Sequence, residues 1–414
     1  MKKNNIPDLR FPQFNEPWTV KTLGEIGEIL CGFAFKGSDI LENEGNYKLM
    51  RGVNISEGFI RHSEEIDRYY SNSIDKLEKY RLKSSDLVIS MDGSKVGRNS
   101  ALLTDDDEGS LLVQRVCRIR NKKQSNIIFL YLNINNSRFH LYVDKVKTSS
   151  AIPHISASDI TEYPISLPSL PEQQKIADFL SGVDEKIGQL ERRLALEEQY
   201  KKGMMQRLFD QEIRFKDENG NEFPDWEEKK LGEVCEIKRG GSPRPINKYI
   251  TDDPDGLNWI KIGDVSSDTN VIYSCKEKII KEGLSKTRQV FKGDLILSNS
   301  MSFGRPYILN IDGCIHDGWL LIRDNNKFFD RYFLCYSLSA DYIQQQYKSL
   351  AAGGVVINLN SELVQSTTIS LPTLPEQQKI ADFLSSLDEK IGQTKAELEK
   401  ARDWKRGLMQ RMFV

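Results

Sequence analysis

Residues 167–189 read LPSLPEQQKIADFLSGVDEKIGQ and residues 371–393 read LPTLPEQQKIADFLSSLDEKIGQ, identical at 20 of 23 positions at an offset of 204. A match of that length marks an internal duplication, and a duplicated chain is expected to fold as two copies of one unit. Weaker echoes lie upstream. Pro17-Trp18 and Leu23-Gly24-Glu25-Ile26 answer Asp225-Trp226 and Leu231-Gly232-Glu233-Val234; Asp86-Leu-Val-Ile-Ser90 answers Asp294-Leu-Ile-Leu-Ser298; Val96-Gly97-Arg98 answers Phe303-Gly304-Arg305. The order is globular unit, helix, globular unit, helix. At 414 residues the chain is also too long for one core, since single cores stop growing at roughly 250–300 residues.

The repeated segments carry helix-start chemistry. Ser169-Leu-Pro-Glu172 and Thr373-Leu-Pro-Glu376 fit the capping box, and a proline in the first turn forfeits no needed donor. Beyond them, Ile176, Leu180, Val183, Ile187, Leu190 and Leu194 follow three-four spacing, as do Ile380, Leu384, Leu387, Ile391, Leu398 and Leu408. This is a coiled-coil seam, with Glu197, Lys201 and Lys405 as polar breaks. At 1.5 Å per residue the first helix makes a rod of about 58 Å, longer than one turn of B-DNA at about 34 Å. The short connector at 211–225 predicts antiparallel pairing. Asp8-Leu-Arg-Phe11 echoes Glu212-Ile-Arg-Phe215 at the same offset of 204, so residues 1–17 are expected beside the C-terminal end of the second helix.

The fold class expected is therefore α+β: globular domains at 18–168 and 226–372, separated by long antiparallel helices at 169–210 and 373–414 that form a coiled coil. The arrangement is cyclic and pseudo-two-fold, closed by the N-terminal segment 1–17. Short β-rich runs such as Leu87–Ser90, Gln114–Ile119, Leu295–Ser298 and Gly318–Ile322 support the mixed class.

The globular units have diverged far more than the helices, so the helices do one job twice while the units do related but different jobs. Net charge is +1 for residues 1–170, −2 for 171–213, −2 for 214–374 and +1 for 375–414. Without a global basic footprint, nucleic-acid binding must rest on local patches. Lys238, Arg239, Arg244 and Lys248 form one, interleaved with Gly240, Gly241, Ser242 and two prolines. Residues 109–150 form another, with Arg115, Arg118, Arg120, Lys122, Lys123, Arg138, Lys145 and Lys147 against Asp144 alone. Aligned copies place Lys36 on Arg244 and Arg98 on Arg305, cations that suit phosphate contacts; Arg51 joins them. Residues that differ, Ser94 and Lys95 against Asn299 and Ser302, suit base reading. Any one of these could equally be a solvated surface charge; Trp319 and His316 suit core packing and a satisfied loop histidine.

No phosphate-binding glycine loop, serine elbow, dinucleotide fingerprint or amino-methyltransferase motif occurs, so no catalytic site is expected. Six scattered cysteines lack metal spacing, and neither a metal centre nor a disulfide framework is expected. No apolar run reaches membrane-spanning length and the N-terminus has no apolar leader core, which points to the cytoplasm.

The twin LPEQQKIADFL helices, with Gly-Phe-Ala-Phe-Lys36, Gly-Gly-Ser-Pro-Arg244, Asp86-Leu-Val-Ile-Ser90 and Gly304-Arg305, resemble the DNA-specificity subunit of type I restriction-modification systems. The likeness covers essentially the whole chain. It implies that each globular domain is a target-recognition domain reading one half of a split double-stranded DNA site. It further implies that the helix pair fixes the spacing and docks two methyltransferase (M) subunits, which carry S-adenosylmethionine and which restriction (R) subunits join. The competing readings are a non-DNA scaffold joining two ligand-binding modules, and a solitary DNA-binding regulator.

Overall fold

The computed structural model describes residues 5–149, 151–265, 269–299, 303–351 and 358–414. The chain divides into two compact units, Met1–Glu191 with Glu397–Val414, and Arg192–Ala396, so each unit holds a stretch of both long helices. Those helices run Leu170–Phe209 and Leu374–Met412.

Within each unit the helix stretches pair antiparallel. In the first, Lys405 meets Asp184 at 2.5 Å and Arg402 meets Glu191 at 2.7 Å; in the second, Lys201 meets Asp388 at 2.5 Å and Lys395 meets Glu198 at 2.8 Å. As one residue number rises its partner's falls. The Lys405 and Lys201 pairs are the same contact in both copies, each member displaced by 204, and they answer the polar breaks in the seam. Ile176, Leu180, Val183, Leu190, Ile380, Leu384, Ile391, Leu398 and Leu408 are buried, with Ile187, Leu194 and Leu387 half-buried beside them. Fully burying such a side chain contributes about 1.5–3 kcal/mol.

The helix starts differ from the capping box expected. Glu172 and Glu376, both almost fully buried, do not turn back to cap their own helices. Glu172 receives Arg10 Nε at 2.7 Å and Nη2 at 2.8 Å; Glu376 receives Arg214 Nε at 3.1 Å and Nη2 at 2.9 Å, and also Trp226 Nε1 at 3.0 Å. A buried carboxylate gains more from a bidentate guanidinium than from one backbone N–H. Thr373 Oγ1 is left buried without a partner. Gln173 and Gln377 complete the joint. Each donates to the carbonyl five residues back (Pro168, Pro372) and to a loop carbonyl (Gln124, Phe328), and accepts from the next loop N–H (Asn126, Asp330).

Arg10 and Arg214 lie in the two echoing segments, and their neighbours repeat the geometry: Leu9 N–H donates to Arg411 O at 2.9 Å, Ile213 N–H to Arg207 O at 3.3 Å. Leu9 thus lies beside the end of the second helix.

The globular parts share a sheet order. In the first unit, strands Gly27–Cys31, Val116–Asn121, Leu87–Ser90 and Ser100–Leu102 pair antiparallel in that order. In the second, Glu236–Arg239, Trp319–Arg323, Leu295–Ser298 and Pro306–Leu309 do the same, with Val271–Ile272 added at the edge. A second sheet in each unit holds a parallel pair, Leu49↔Leu111 or Trp259↔Cys314. Two further strand pairs, Thr19–Thr22 with Pro164–Leu167 and Glu227–Lys230 with Thr368–Leu371, tie the start of each globular part to the residues just before the next long helix.

Candidate functional site

Two repeated motifs prove to be framework. Asp86 accepts the Lys83 N–H and takes Arg120 Nε at 2.5 Å and Nη2 at 2.8 Å; Asp294 accepts the Phe291 N–H and takes Arg323 Nε at 2.8 Å. Gly97 and Gly304 have φ of 72° and 71°, and a Cβ would strike Val143 at 2.7 Å or Tyr347 at 2.9 Å. Only glycine serves there.

A third repeated position defines the loops. A Cβ on Gly32 would lie 2.1 Å from Val113 O, and one on Gly240 2.2 Å from His316 O. These matched approaches clamp two loops together in each unit and superpose Ala34 on Ser242, Lys36 on Arg244, and Gln114 on Asp317.

In the second unit four of the candidate residues converge on the loop of Asp317. Ser242 Oγ donates to Asp317 Oδ1 at 2.7 Å, Arg244 Nη2 stands 3.8 Å from Oδ2, and Arg239 Nε and Asn299 Nδ2 donate to its carbonyl at 3.0 and 2.9 Å. Burial opposes ionisation of Asp317, but the Ser242 hydroxyl, His316 and Arg244 outweigh it and hold the carboxyl below its usual range. His316 Nδ1 accepts the Gly318 N–H at 2.9 Å, which leaves the ring proton on Nε2, 3.4 Å from Asp317 Oδ1. Burial first, then Lys261, Arg244 and Arg239, lower the pKa of that imidazole despite Asp317. Ser242, Arg244, Trp259, Lys261, His316 and Asp317 line a cleft of about 640 Å³. The result is an ionised acceptor at a rim of cations, beside an aromatic wall. Asn299 itself is buried, so its amide positions this loop. Trp319 is fully buried.

In the first unit the same loop pair carries Lys36 and Arg115, both exposed, with Gln114 N–H donating to Phe33 O at 2.8 Å. Arg115 has a φ of 69°. Lys36, like Lys248 in the second unit, has no ion-pair partner among the described residues.

Other candidates stand apart from these loops or are engaged elsewhere. Arg98 pairs with Asp144 at 2.7 Å, Lys95 with Glu57 at 2.9 Å, and Lys238 with Glu236. Arg51 donates to Ile66 O at 3.4 Å. Ser94 is exposed. Arg305 donates to Asn270 Oδ1 at 3.2 Å and lies over the Tyr307 ring. Ser302 lies outside the described residues. The basic run of 109–150 is not one surface: Arg118 is 1% exposed and paired with Glu28, and Arg120 belongs to Asp86.

Sequence reasoning passed over Asp317 and Gln114. Their offset is 203 where Lys36 and Arg244 differ by 208, so no single alignment of the copies brings them together.

Among the described residues no group of His, Cys, Asp and Glu is arranged to hold a metal ion, and no helix is long and apolar enough to cross a membrane. The model of the type I restriction modification DNA specificity domain matches residues 15–198 and again 224–401. The type I restriction enzyme MjaVIII specificity subunit of Methanocaldococcus jannaschii is 24% identical over 99% of this chain and 95% of its own. The EcoBI specificity subunit of Escherichia coli is 25% identical over 90% and 80%. A crystal structure of the type I system S subunit from M. genitalium shares the fold, with a TM-score of 0.61 at 18% identity and 99% coverage of both chains. With two family domains occupying most of its length, the chain belongs to the type I restriction-modification DNA specificity family.

Proposed function

We propose that this chain is the non-catalytic DNA-reading subunit of a type I restriction-modification assembly, acting in the cytoplasm on a bipartite, asymmetric double-stranded site. Regions 18–168 and 226–372 each read one half. The long helices set the distance between halves and dock two methyltransferase subunits, with S-adenosylmethionine bound in those partners and restriction subunits recruited through them.

One observation carries the reading: the same glycine-clamped loop pair presents Ala34 and Gln114 in one unit, Ser242 and Asp317 in the other. Lys36 and Arg244 flank these changed groups as cations at matched positions, suited to phosphate. A carboxylate accepts from the cytosine amino group, whereas a glutamine amide pairs bidentately with adenine. Unlike readers on like frames ask for unlike half-sites. The docking role draws on the outer faces of the helices, where Gln174, Asp178, Glu185 and Gln189 are exposed yet identical to Gln378, Asp382, Glu389 and Gln393. Core packing makes no such demand.

The test is Asp317→Gln in the assembled methyltransferase, with methylated positions mapped across a genome. Preference at one position of the half-site read by 226–372 shifts by about 1–3 kcal/mol, and the other half stays fixed. Unaltered sequence at both halves would remove Asp317 from the reading surface.

A further inference from the structure

Cys31 and Cys117 face each other across the antiparallel strands Gly27–Cys31 and Val116–Asn121. The next pair along, Gly32 and Val116, is joined by a hydrogen bond from Gly32 N–H to Val116 O at 3.0 Å. In an antiparallel ladder hydrogen-bonded and non-hydrogen-bonded pairs alternate, so Cys31 and Cys117 occupy a non-hydrogen-bonded site, where Cα atoms lie roughly 4.5 Å apart and side chains are closest. That spacing falls inside the range a disulfide spans without backbone movement, about 4.4–6.8 Å. Cys31 Sγ lies 3.6 Å from Met91 Sδ, and Cys117 Sγ lies 3.8 Å from the Arg118 carbonyl oxygen. Cys117 is fully buried, whereas Cys31 is partly open to solvent. All six cysteines are free thiols in this structure.

We propose that Cys31 and Cys117 form a reversible, peroxide-made disulfide, with Cys31 as the attacking thiol and Cys117 as the resolving one. The interaction between the paired thiols lowers the Cys31 pKa, and that same interaction together with burial raises the Cys117 pKa, which divides the roles. The Cys31 thiolate takes the distal oxygen of a hydroperoxide; the O–O bond breaks and hydroxide or alkoxide leaves, taking up the proton the thiol released to become water or an alcohol, and a sulfenic acid remains. Cys117 sulfur then attacks Cys31 sulfur, the S–O bond breaks, and hydroxide leaves with the Cys117 proton as water. One peroxide is reduced and two thiols are oxidised. The bond would join the stems of the loops that carry Lys36 and Arg115. The second unit is an internal control, since its equivalent cross-strand pair is Arg239↔Leu320 and has no sulfur.

Treat the folded, full-length protein with hydrogen peroxide, quench, and follow intact mass, thiol titre and peptide maps. The expected result is a loss of two hydrogens in mass and a fall from six titratable thiols to four. A single Cys31–Cys117 cross-linked peptide should appear, and dithiothreitol should reverse all three changes. Cys31→Ala should keep five thiols unoxidised under the same exposure, and Cys117→Ser should trap the sulfenic acid on Cys31, detectable with dimedone. Because the map is read on the unaltered protein, a misfolded variant does not decide the outcome. Six thiols persisting, or Cys31 passing to sulfinic acid with Cys117 still free, would overturn the proposal.

Discussion

The joints at the foot of each long helix and the loops above them have had the same time to diverge since the duplication, with opposite results. The joint keeps its buried pairs: Arg10 on Glu172 is Arg214 on Glu376, and Gln173 makes the same bonds as Gln377. The loops keep the glycine that lets them approach and a cation four residues on, Lys36 or Arg244, and exchange Gln114 for Asp317. Burial explains the first behaviour. A buried charge or amide with all its partners made has no cheap substitute, because any single change strands its partner. The loop tips face solvent, so changing them costs little folding energy and leaves them available for selection on what they touch.

The largest break in this contrast should come from the joint. Glu376→Ala strands Arg214 and Trp226 and is expected to destabilise the second unit by about 3–5 kcal/mol in urea unfolding. Glu172→Ala should cost about 1 kcal/mol less, because Trp18, the counterpart of Trp226, has no hydrogen bond on its indole nitrogen to lose. Equal losses would mean that the indole contact contributes nothing.

Lengthening sharpens the contrast from the other side. One added heptad in each long helix extends it by about 10 Å, equal to about three base pairs at roughly 3.4 Å each. Mapped methylation should show a gap between half-sites wider by that amount with both half-sites unchanged; an unaltered gap would contradict the spacing role. The smallest effect belongs to a single rim cation. Arg244→Ala should reduce the slope of log affinity against log salt by about one and leave sequence preference intact. Arg244 is 76% exposed and 3.8 Å from Asp317, so its loss should barely move stability.

The periodic and repeated parts of the molecule were legible in the sequence, because helical seams and duplicated joints leave local, ordered traces: Ile176 to Leu194, Ile380 to Leu408, and the Arg10 and Arg214 echo all appear where the spacing puts them. Glu172 misled, since its position satisfies a capping rule while its real partner lies 162 residues away. The candidate site was half legible. The cations Lys36, Arg115 and Arg244 sit on the paired loops, but Arg98 and Lys95 are held by acids that only the fold brings near. Asp317 was invisible because its role comes from a loop met across the sheet, not from its own neighbours.

Modular reading by separate regions is tested most directly by exchanging residues 18–165 for those of a relative and mapping methylated positions across a genome after co-expression with the methyltransferase. One half-site should change wholesale while the other half and the gap persist. A change in both halves, or in neither, would contradict it.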